Sequence, residues 1–487
     1  MNLAGKNLGF LLGTLTRVRH LPKRAAAYSG DVFGRRERRG AERTTPLRRT
    51  FAAGSPTCPK MCSLGKFDVA VIGGGLVGTA TALEILESCP NLSCVLVEKE
   101  SCLGTHQSSY NPGIIHTALL CTPNTMQAAL CCQGLKLAYS YIKCKGIKHC
   151  MIGELIVAKN ESEVARLECL YERALANGVE GIQMLGCKEM KRIEPNVTGC
   201  KAVYSPCTGI VDWGEVTAAL GKDFQMKNGK VRTDFNVVGF DVCPDSRHDT
   251  PETNMHPATI YSDDNRMISA GFVLCCTGLF ADRVSWLSGG QFDPYIVPIR
   301  SQYYKLNPKK CHLVNSIIHP VPDMSCPFQR PKIMKRLDGS VWVGPVSNIA
   351  MKREGYKLTD WTLQDIEEPF RYSGFRRFLT KNSKSIQDEA LKCVSSDRLI
   401  AELMDYFPLF CSKDLKKIET GVCAVPIDCQ GDVVGEVVMD NGTGAARQRI
   451  LHCRTIPDPG ATNGLALAKL LADIVITEVN KPFDPNN

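Results

Sequence analysis

The feature that most constrains the fold is a glycine-rich turn between two apolar segments, in the stretch FDVAVIGGGLVGTATALEILES that begins at Phe67. The apolar run before the turn predicts a buried strand, and the residues after it predict a helix. Gly73, Gly75 and Gly78 have the Gly-x-Gly-x-x-Gly spacing of a dinucleotide-binding turn. The first glycine permits the tight turn, the second lets the backbone approach a pyrophosphate, and the third lets the helix pack closely on the strand. The free N–H groups at the helix start then favour a bound phosphate.

Glu98 adds the second half of this pattern. It ends the next apolar strand, CVLVEKE, 20 residues after Gly78. A carboxylate at that distance can accept hydrogen bonds from the ribose of a dinucleotide. The strand, turn, helix and carboxylate together predict a Rossmann-like dinucleotide-binding domain.

Two later turns favour FAD over a nicotinamide cofactor. The stretch LCCTGLFADRV places Gly278 after an apolar strand and Asp282 early in a helix. In PDPGATNGLALAKLL, the residues Gly460, Ala461 and Thr462 start the last long helix, which lies near the flavin ring in folds of the glutathione-reductase type. The sequence has no second complete Gly-x-Gly-x-x-Gly turn for a pyridine nucleotide, because GTGAAR lacks the last glycine. We therefore predict one FAD.

The order of strand and helix patterns predicts an α/β protein in which a Rossmann-like FAD domain is built from separate chain segments. An α+β substrate domain with a mainly antiparallel sheet is inserted between those segments. The predicted FAD domain comprises residues 66–148, 200–290 and 410–487, and the substrate domain 149–199 and 291–409.

Residues 1–65 are predicted to be a mitochondrial transit peptide and linker. Positions 1–50 hold 12 Lys and Arg against 3 Asp and Glu, which leaves 47 residues of each sign in the rest of the chain. An Arg-rich, acid-poor leader is typical of mitochondrial targeting, and the alternative is a merely basic arm. The neutral remainder argues against nucleic-acid binding. We expect no transmembrane segment, because the apolar run 8–15 is too short to span a bilayer.

Cysteine is abundant, with 24 residues, but no Cys-x-x-Cys pair occurs. A zinc knuckle or a thioredoxin-type couple is therefore not supported. We expect free thiols that pack as small apolar side chains, and we predict no metal site.

From about Phe67 to Val479 the sequence resembles FAD-dependent L-2-hydroxyglutarate dehydrogenases of the D-amino-acid-oxidase-like superfamily. The residues that carry the resemblance are VIGGGLVGTATA, VEKE, THQSSYNPGIIH, TGIVDWGEVT, VPDMSCPF, LDGSVWVGP, KREGY and DPGAT. The resemblance implies oxidation of L-2-hydroxyglutarate to 2-oxoglutarate. It also implies a respiratory electron acceptor, either a quinone or an electron-transfer flavoprotein. The expected location is the mitochondrial matrix or the matrix face of the inner membrane, with peripheral membrane association left open.

The resemblance assigns roles to several residues. His116 in NPGIIHTALL is the candidate base that accepts the hydroxyl proton of the substrate or orients that hydroxyl. A dicarboxylate substrate requires cationic partners, and the guanidinium fork of arginine suits a carboxylate best. The expected substrate ligands are Arg300, Arg336 and Arg454, and the expected additional flavin contacts are His106, Gln107 and Gly113. Lys352 and Arg353 are expected to form a surface pair.

The sequence also departs from the family pattern. Cys423 stands where the family has an arginine, Thr117-Ala118 where it has Ser-Gly, and residues 329–332 replace an element that ends in histidine. Because these changes fall in active-site motifs, two alternatives to the dehydrogenase remain open. One is an amine or amino-acid oxidase of the same fold. The other is a weakly active or non-catalytic FAD-binding paralogue.

Overall fold

A computed structural model describes residues 61–243, 255–323 and 326–481. In this part of the chain the strands form two eight-stranded sheets and one three-stranded sheet, and helices pack on them. The predicted leader and linker, residues 1–65, lies outside the described residues as far as position 60. The first strand begins at Cys62, a few residues before the expected start at Phe67.

The strands are β1 (Cys62–Ile72), β2 (Cys94–Val97), β3 (Ile114–Ile115), β4 (His149–Met151), β5 (Glu154–Ala158), β6 (Gln183–Gly186), β7 (Lys201–Ser205), β8 (Gly209–Val211), β9 (Lys230–Arg232), β10 (Val237–Val242), β11 (Ala258–Ser262), β12 (Arg266–Cys275), β13 (Tyr295–Leu306), β14 (Ile317–Pro320), β15 (Lys332–Lys335), β16 (Val341–Ile349), β17 (Leu415–Ile427), β18 (Met439–Asn441) and β19 (Ile450–Cys453). The α-helices are α1 (Leu76–Ser88), α2 (Met126–Lys145), α3 (Glu161–Ala176), α4 (Cys187–Ile193), α5 (Trp213–Met226), α6 (Ala281–Leu287), α7 (Leu363–Arg371), α8 (Ser373–Lys381), α9 (Ser383–Val394), α10 (Ser396–Leu403), α11 (Ala446–Arg449) and α12 (Gly460–Val479).

The first large sheet has the predicted Rossmann-like arrangement. Its parallel strands lie in the order β19-β12-β1-β2-β9, and the hairpin β10-β11 extends the first half of β12 in antiparallel fashion. The turn after β1 leads into α1, which packs against α5 and α12. Because β2 and the end of β1, residues 69–72, are apolar and buried, this sheet forms the core of the dinucleotide-binding layer.

The second large sheet is mainly antiparallel, as predicted for the substrate domain. Its order is β17-β13-β16-β15-β14-β5-β7-β6, and the pair β14-β5 is parallel. One face of this sheet packs on the helical segment 383–403, where Leu399, Ile400 and Leu403 meet Val343 in a buried apolar cluster. The small sheet β3-β8-β4 is antiparallel.

The strand pairing extends this second sheet beyond the predicted segment boundaries. Residues 201–205 and 415–427 were assigned to the FAD domain from the sequence. In the structure, β7 pairs with β5 from Glu154 opposite Ser205, and β17 pairs with β13 along nearly its whole length. Both strands therefore belong to the substrate-domain sheet by hydrogen bonding.

Helix α12 lies inside the protein. It is the one helix among the described residues that is long and apolar enough to cross a membrane, and 61% of its apolar stretch is buried within the fold. It packs between α1 and α2. The approach to α2 is so close that a Cβ on Gly134 would lie 2.0 Å from the carbonyl oxygen of Thr462. Its length and composition therefore reflect core packing.

Candidate active site

A cavity of about 1350 Å³ lies between the two large sheets, at the carboxyl ends of the parallel strands. Ligands bind at this edge in open α/β sheets, because strand ends and helix starts leave backbone groups free there. The first sheet contributes residues that follow β1, β2, β12 and β19, and the second contributes side chains of β13, β15, β16 and β17. The volume is that of a large organic cofactor together with a small substrate.

The predicted glycine turn forms one end of the cavity. Gly73 has φ +105°, and a Cβ there would lie 2.3 Å from the carbonyl oxygen of Cys276. A Cβ on Gly78 would lie 2.0 Å from the carbonyl oxygen of Gly73. Gly75 precedes the first residue of α1, so the start of this helix lies at the cavity that all three glycines line, and its first N–H, from Leu76, donates to the hydroxyl of Ser108 (2.8 Å). This cradle fits a pyrophosphate, as the sequence predicted.

Glu98 lines the same end of the cavity. Its carboxylate accepts hydrogen bonds from the backbone N–H of Gly74 (2.7 Å) and from that of Glu100 (2.9 Å). These two bonds fix the carboxylate beside the glycine turn, where it can accept hydrogen bonds from a ribose.

Gln107 and Gly278 lie next to each other in the cavity wall. Gly278 has φ +50°, and a Cβ there would lie 3.0 Å from the Nε2 atom of Gln107. The Oε1 atom of Gln107 accepts a hydrogen bond from the backbone N–H of Ala424 (3.0 Å), which ties this loop to β17. Both predicted cofactor residues are therefore at the junction of the two sheets.

The start of α12 also lines the cavity, through Gly460 and Ala461. Thr462 lies one residue further and points to the segment that carries His116. Its Oγ1 atom accepts a hydrogen bond from the backbone N–H of His116 (3.0 Å). Thr462 is thus placed to position His116.

His106 belongs to an ion-paired cluster at the cavity wall. Its Nδ1 atom is 2.7 Å from the hydroxyl of Tyr356, and its Nε2 atom is 3.0 Å from Glu100 and 3.1 Å from Glu354. Such a trio of one histidine and two glutamates could ligate a metal ion. The ammonium group of Lys99 lies among them, however, 2.6 Å from Glu354. The lysine therefore occupies the place of a cation beside the two carboxylates.

Three predicted cofactor residues do not line the cavity: Gly113, Thr462 and Asp282. Asp282 is fully buried, and it accepts hydrogen bonds from the guanidinium of Arg353 (2.8 Å) and from the backbone N–H of Ile296 (2.9 Å). Arg353 is only 1% exposed, so the prediction that it forms a surface pair with Lys352 is wrong. A buried guanidinium requires a carboxylate partner, and Asp282 is that partner.

Arg300 and Arg336 also lie outside the cavity lining. Along β13 the side chains of Ser301 and Tyr303 face the cavity, so Arg300 points to the opposite face of the sheet. Arg336 lies over the ring of Trp342, 4.3 Å from its centroid, and burial lowers its pKa. The predicted residue Gly113 contacts this guanidinium, because a Cβ there would lie 2.6 Å from the Nη1 atom of Arg336.

Arg454 lines the cavity, but its guanidinium is engaged elsewhere. It donates to the carbonyl oxygens of Gln291 (2.8 Å) and Pro294 (2.6 Å), and it lies 3.1 Å from the carboxylate of Asp440. None of the three expected arginines thus extends an unpaired guanidinium into the cavity.

His116 faces the cavity, as expected for a residue that handles the substrate proton. Its surroundings shield it from bulk water, and this burial, reinforced by the charge of Lys332, lowers its pKa to about 3. The imidazole is therefore neutral at pH 7 and can accept a proton.

Two further polar residues of the cavity were not predicted as site residues. Lys332 is 4% exposed and lines the cavity from β15. Asp458 precedes α12, and burial raises the pKa of its carboxyl while Lys332 opposes the shift. Lys332 is the first residue of β15, and Met334, two residues later, also faces the cavity. Because side chains two residues apart in a strand point to the same face, the strand pattern was the one sequence signal that could have placed Lys332 in the cavity.

Fold, cradle and cavity together define a flavoprotein oxidoreductase, and comparison with known proteins agrees. A family model described as FAD dependent oxidoreductase matches residues 68–474, and the chain belongs to this family. Its cofactor is FAD.

Within the family, its relatives include L-2-hydroxyglutarate dehydrogenases named as mitochondrial. The protein of Nematostella vectensis is 39% identical over 409 residues, which are 84% of this chain and 90% of the relative. The human protein is 37% identical over 438 residues, which are 89% of this chain and 94% of the human protein. The predicted family is confirmed.

Solved structures confirm the fold. An L-alpha-glycerophosphate oxidase from Mycoplasma pneumoniae with FAD bound has a TM-score of 0.63 at 22% identity, over 85% of this chain and 95% of that one. An L-amino acid deaminase from Proteus vulgaris has a TM-score of 0.61 at 15% identity, over 86% of this chain and 96% of the deaminase.

Replacing Gly73 by Ala should remove FAD from the purified protein. The left-handed backbone and the carbonyl of Cys276 leave no room for a Cβ, so the turn must shift away from its phosphate-binding geometry. We expect the affinity for FAD to fall about 5- to 150-fold, from an overpacking cost of about 1–3 kcal/mol, and the flavin-to-protein absorbance ratio of the dialysed protein to fall with it. Gly239→Ala is the matched control, because a Cβ there meets only Tyr261 at 3.9 Å. A fully yellow Gly73→Ala protein would contradict the assignment of the cradle.

Proposed function

We propose that this protein oxidises L-2-hydroxyglutarate to 2-oxoglutarate. The observation that carries the proposal is a neutral histidine, His116, facing a cavity whose other end is an FAD cradle. Relatives that share 33–39% of their residues with the chain over most of its length bear the name of that dehydrogenase. The two findings agree on the reaction type.

Dehydrogenation of a secondary alcohol requires a hydride acceptor and a proton acceptor. Bound FAD supplies the hydride acceptor. His116 is the proton acceptor, because its imidazole is neutral and its main chain is fixed by Thr462. A substrate carboxylate near the imidazole favours the protonated form, which raises the pKa of His116 from its low value in the ligand-free protein. Substrate binding therefore makes this histidine a stronger base.

Neutral hydrogen-bonding groups complete the polar part of the cavity. Burial raises the pKa of Tyr303, so its hydroxyl remains protonated and can donate to a substrate oxygen. Ser301 lies on the same face of β13, and Ser347 faces the cavity from β16. These groups orient a hydroxy acid without adding charge.

We further propose that the electrons pass to a respiratory acceptor, a quinone or an electron-transfer flavoprotein. The mitochondrial names of the relatives and the basic leader support this, because an enzyme of the matrix or of the matrix face of the inner membrane has access to both acceptors. If the protein were instead an amino-acid oxidase, oxygen would accept the electrons of the reduced flavin. The likeness to the deaminase of Proteus vulgaris, at 15% identity, supports a shared fold alone.

Anaerobic L-2-hydroxyglutarate should bleach the flavin absorbance of the purified protein, whereas the D-enantiomer and L-amino acids should not. His116 and the cofactor cradle have fixed positions in the cavity, so they can act together on the hydroxyl and the hydrogen of one enantiomer only. After bleaching, a soluble quinone should restore the absorbance faster than oxygen does. Bleaching by an amino acid with peroxide release would favour the oxidase, and a flavin that no tested acid bleaches would favour the non-catalytic paralogue.

His116→Gln should slow flavin reduction by about 100-fold or more at unchanged FAD content, since a positioned base contributes 10²–10⁴. Stopped-flow absorbance at saturating substrate separates this rate constant from binding. His452→Gln is the matched control, because burial also lowers the pKa of His452, to about 4, but its ring bonds to Ser288 away from the cavity. A wild-type reduction rate in His116→Gln would remove the residue from the mechanism.

Residues 1–50 fused to a fluorescent reporter should direct it to mitochondria. The same segment with its arginines replaced by glutamine should leave the reporter in the cytosol, because import requires the positive charge. Diffuse fluorescence from the unaltered fusion would contradict the targeting proposal.

A further inference from the structure

Four basic residues line the cavity within the described part of the chain, and three of them are already paired. Lys99 is bound to Glu354, Arg283 to Asp365, and Arg454 to Asp440 and two carbonyl oxygens. Lys332 is the fourth. Among the described residues, its Nζ atom has no hydrogen-bond acceptor and no carboxylate within 4 Å.

The position of Lys332 makes this unusual. Its side chain is 4% exposed, and it projects from β15 on the face that Met334 also presents to the cavity. A lysine whose side chain is almost wholly buried is partly desolvated, and without a counter-ion this loss of hydration is costly for the ammonium that it presents to the cavity. Such a group is retained where a ligand supplies the missing negative charge.

None of the charged and titratable groups around Lys332 in the described part of the chain forms an ion pair with it, so a ligand can supply the negative charge. Its charge acts on Glu154, Asp458, His116 and His319. Glu154 lies behind the cavity wall, is not among the residues that line it, and has one carboxylate oxygen without a hydrogen-bond partner. The two buried histidines remain neutral at pH 7, because burial lowers the pKa of His116 to about 3 and that of His319 to about 4.

We propose that Lys332 binds a carboxylate of the substrate and determines the preference of the cavity for 2-hydroxy acids. The proposal rests on the function proposed above and adds the residue that recognises the acid. It places the bound carboxylate near His116, so that one anion both neutralises Lys332 and strengthens the base.

The proposal accounts for the departures from the family pattern. Cys423 lines the cavity where an arginine was expected and carries no charge, because burial raises the pKa of its thiol to about 11. Arg300 and Arg336 do not line the cavity. Lys332, in the segment where the histidine-containing element is replaced, restores a cation to the site.

The test compares FAD-loaded wild-type protein with Lys332→Met, Lys332→Arg and the control Lys335→Met. Lys335 lies on the same strand but its Nζ atom donates to the carbonyl oxygen of Cys311, away from the cavity. Three quantities are measured in each protein. The first is the dissociation constant of glutarate, a dicarboxylate that cannot be oxidised, from isothermal titration. The others are KM for L-2-hydroxyglutarate and the rate constant of flavin reduction at saturating L-2-hydroxyglutarate.

Lys332→Met should raise the glutarate dissociation constant and KM by about 10- to 100-fold, as expected for a lost charge-assisted hydrogen bond. The rate constant of flavin reduction at saturation should change less. Lys332→Arg should recover most of the affinity, and Lys335→Met should match the wild type. If removing the cation leaves Glu154 uncompensated and the protein does not fold, the double variant Lys332→Met with Glu154→Gln provides the same comparison.

The results separate this proposal from the proposed function. Wild-type constants in Lys332→Met would overturn it even if L-2-hydroxyglutarate is the substrate, and so would a wild-type protein that does not bind glutarate. Lysine-dependent glutarate binding without flavin reduction would support it and contradict the proposed substrate. Parallel titration with L-2-hydroxybutyrate assigns the carboxylate. Weakened binding there identifies the group next to the hydroxyl, and unchanged binding identifies the distal one.

Discussion

The close approach of β1, β2 and β12 at the glycine turn determines the rest of the active-site geometry. The N–H of Gly73 donates to the carbonyl of Val97 (2.8 Å), and the N–H of Cys276 donates to the carbonyl of Ile72 (2.7 Å). No Cβ fits at Gly73 or Gly78, so the strand ends and the start of α1 meet without an intervening side chain. This contact holds the phosphate cradle at one end of the cavity and sets where the second sheet must place its reactive groups.

Local signals predicted the cofactor end of the site well. The glycine turn, Glu98 and the start of α12 depend on residues close together in sequence, and all of them except Thr462 line the cavity. The roles of side chains that depend on contacts between distant parts of the chain were harder to predict from the sequence. Arg300 faces away from the cavity because the register of β13 against β16 and β17 directs Ser301 and Tyr303 inward, and that register follows from tertiary packing.

Pairings between distant residues explain the other differences. Asp282 and Arg353 are 71 residues apart, and neither position signals that the two form a buried ion pair. Likewise, β7 and β17 join the substrate-domain sheet through partners that no local pattern identifies. Lys332 shows the converse case. Its strand was recognisable only as part of a divergent motif, whereas in the described part of the chain its ammonium lines the cavity without a carboxylate partner, unlike Lys99, Arg283 and Arg454.

The cavity between the two sheets has a consequence for the life of the protein in the cell. A ligand that touches both sheets binds the native state and not the unfolded chain, so it stabilises the fold in proportion to the logarithm of its concentration. The folded population therefore follows the supply of the vitamin from which FAD is made. A shortage of riboflavin lowers the amount of this protein through proteolysis of the unfilled form, before any change in its catalytic constants.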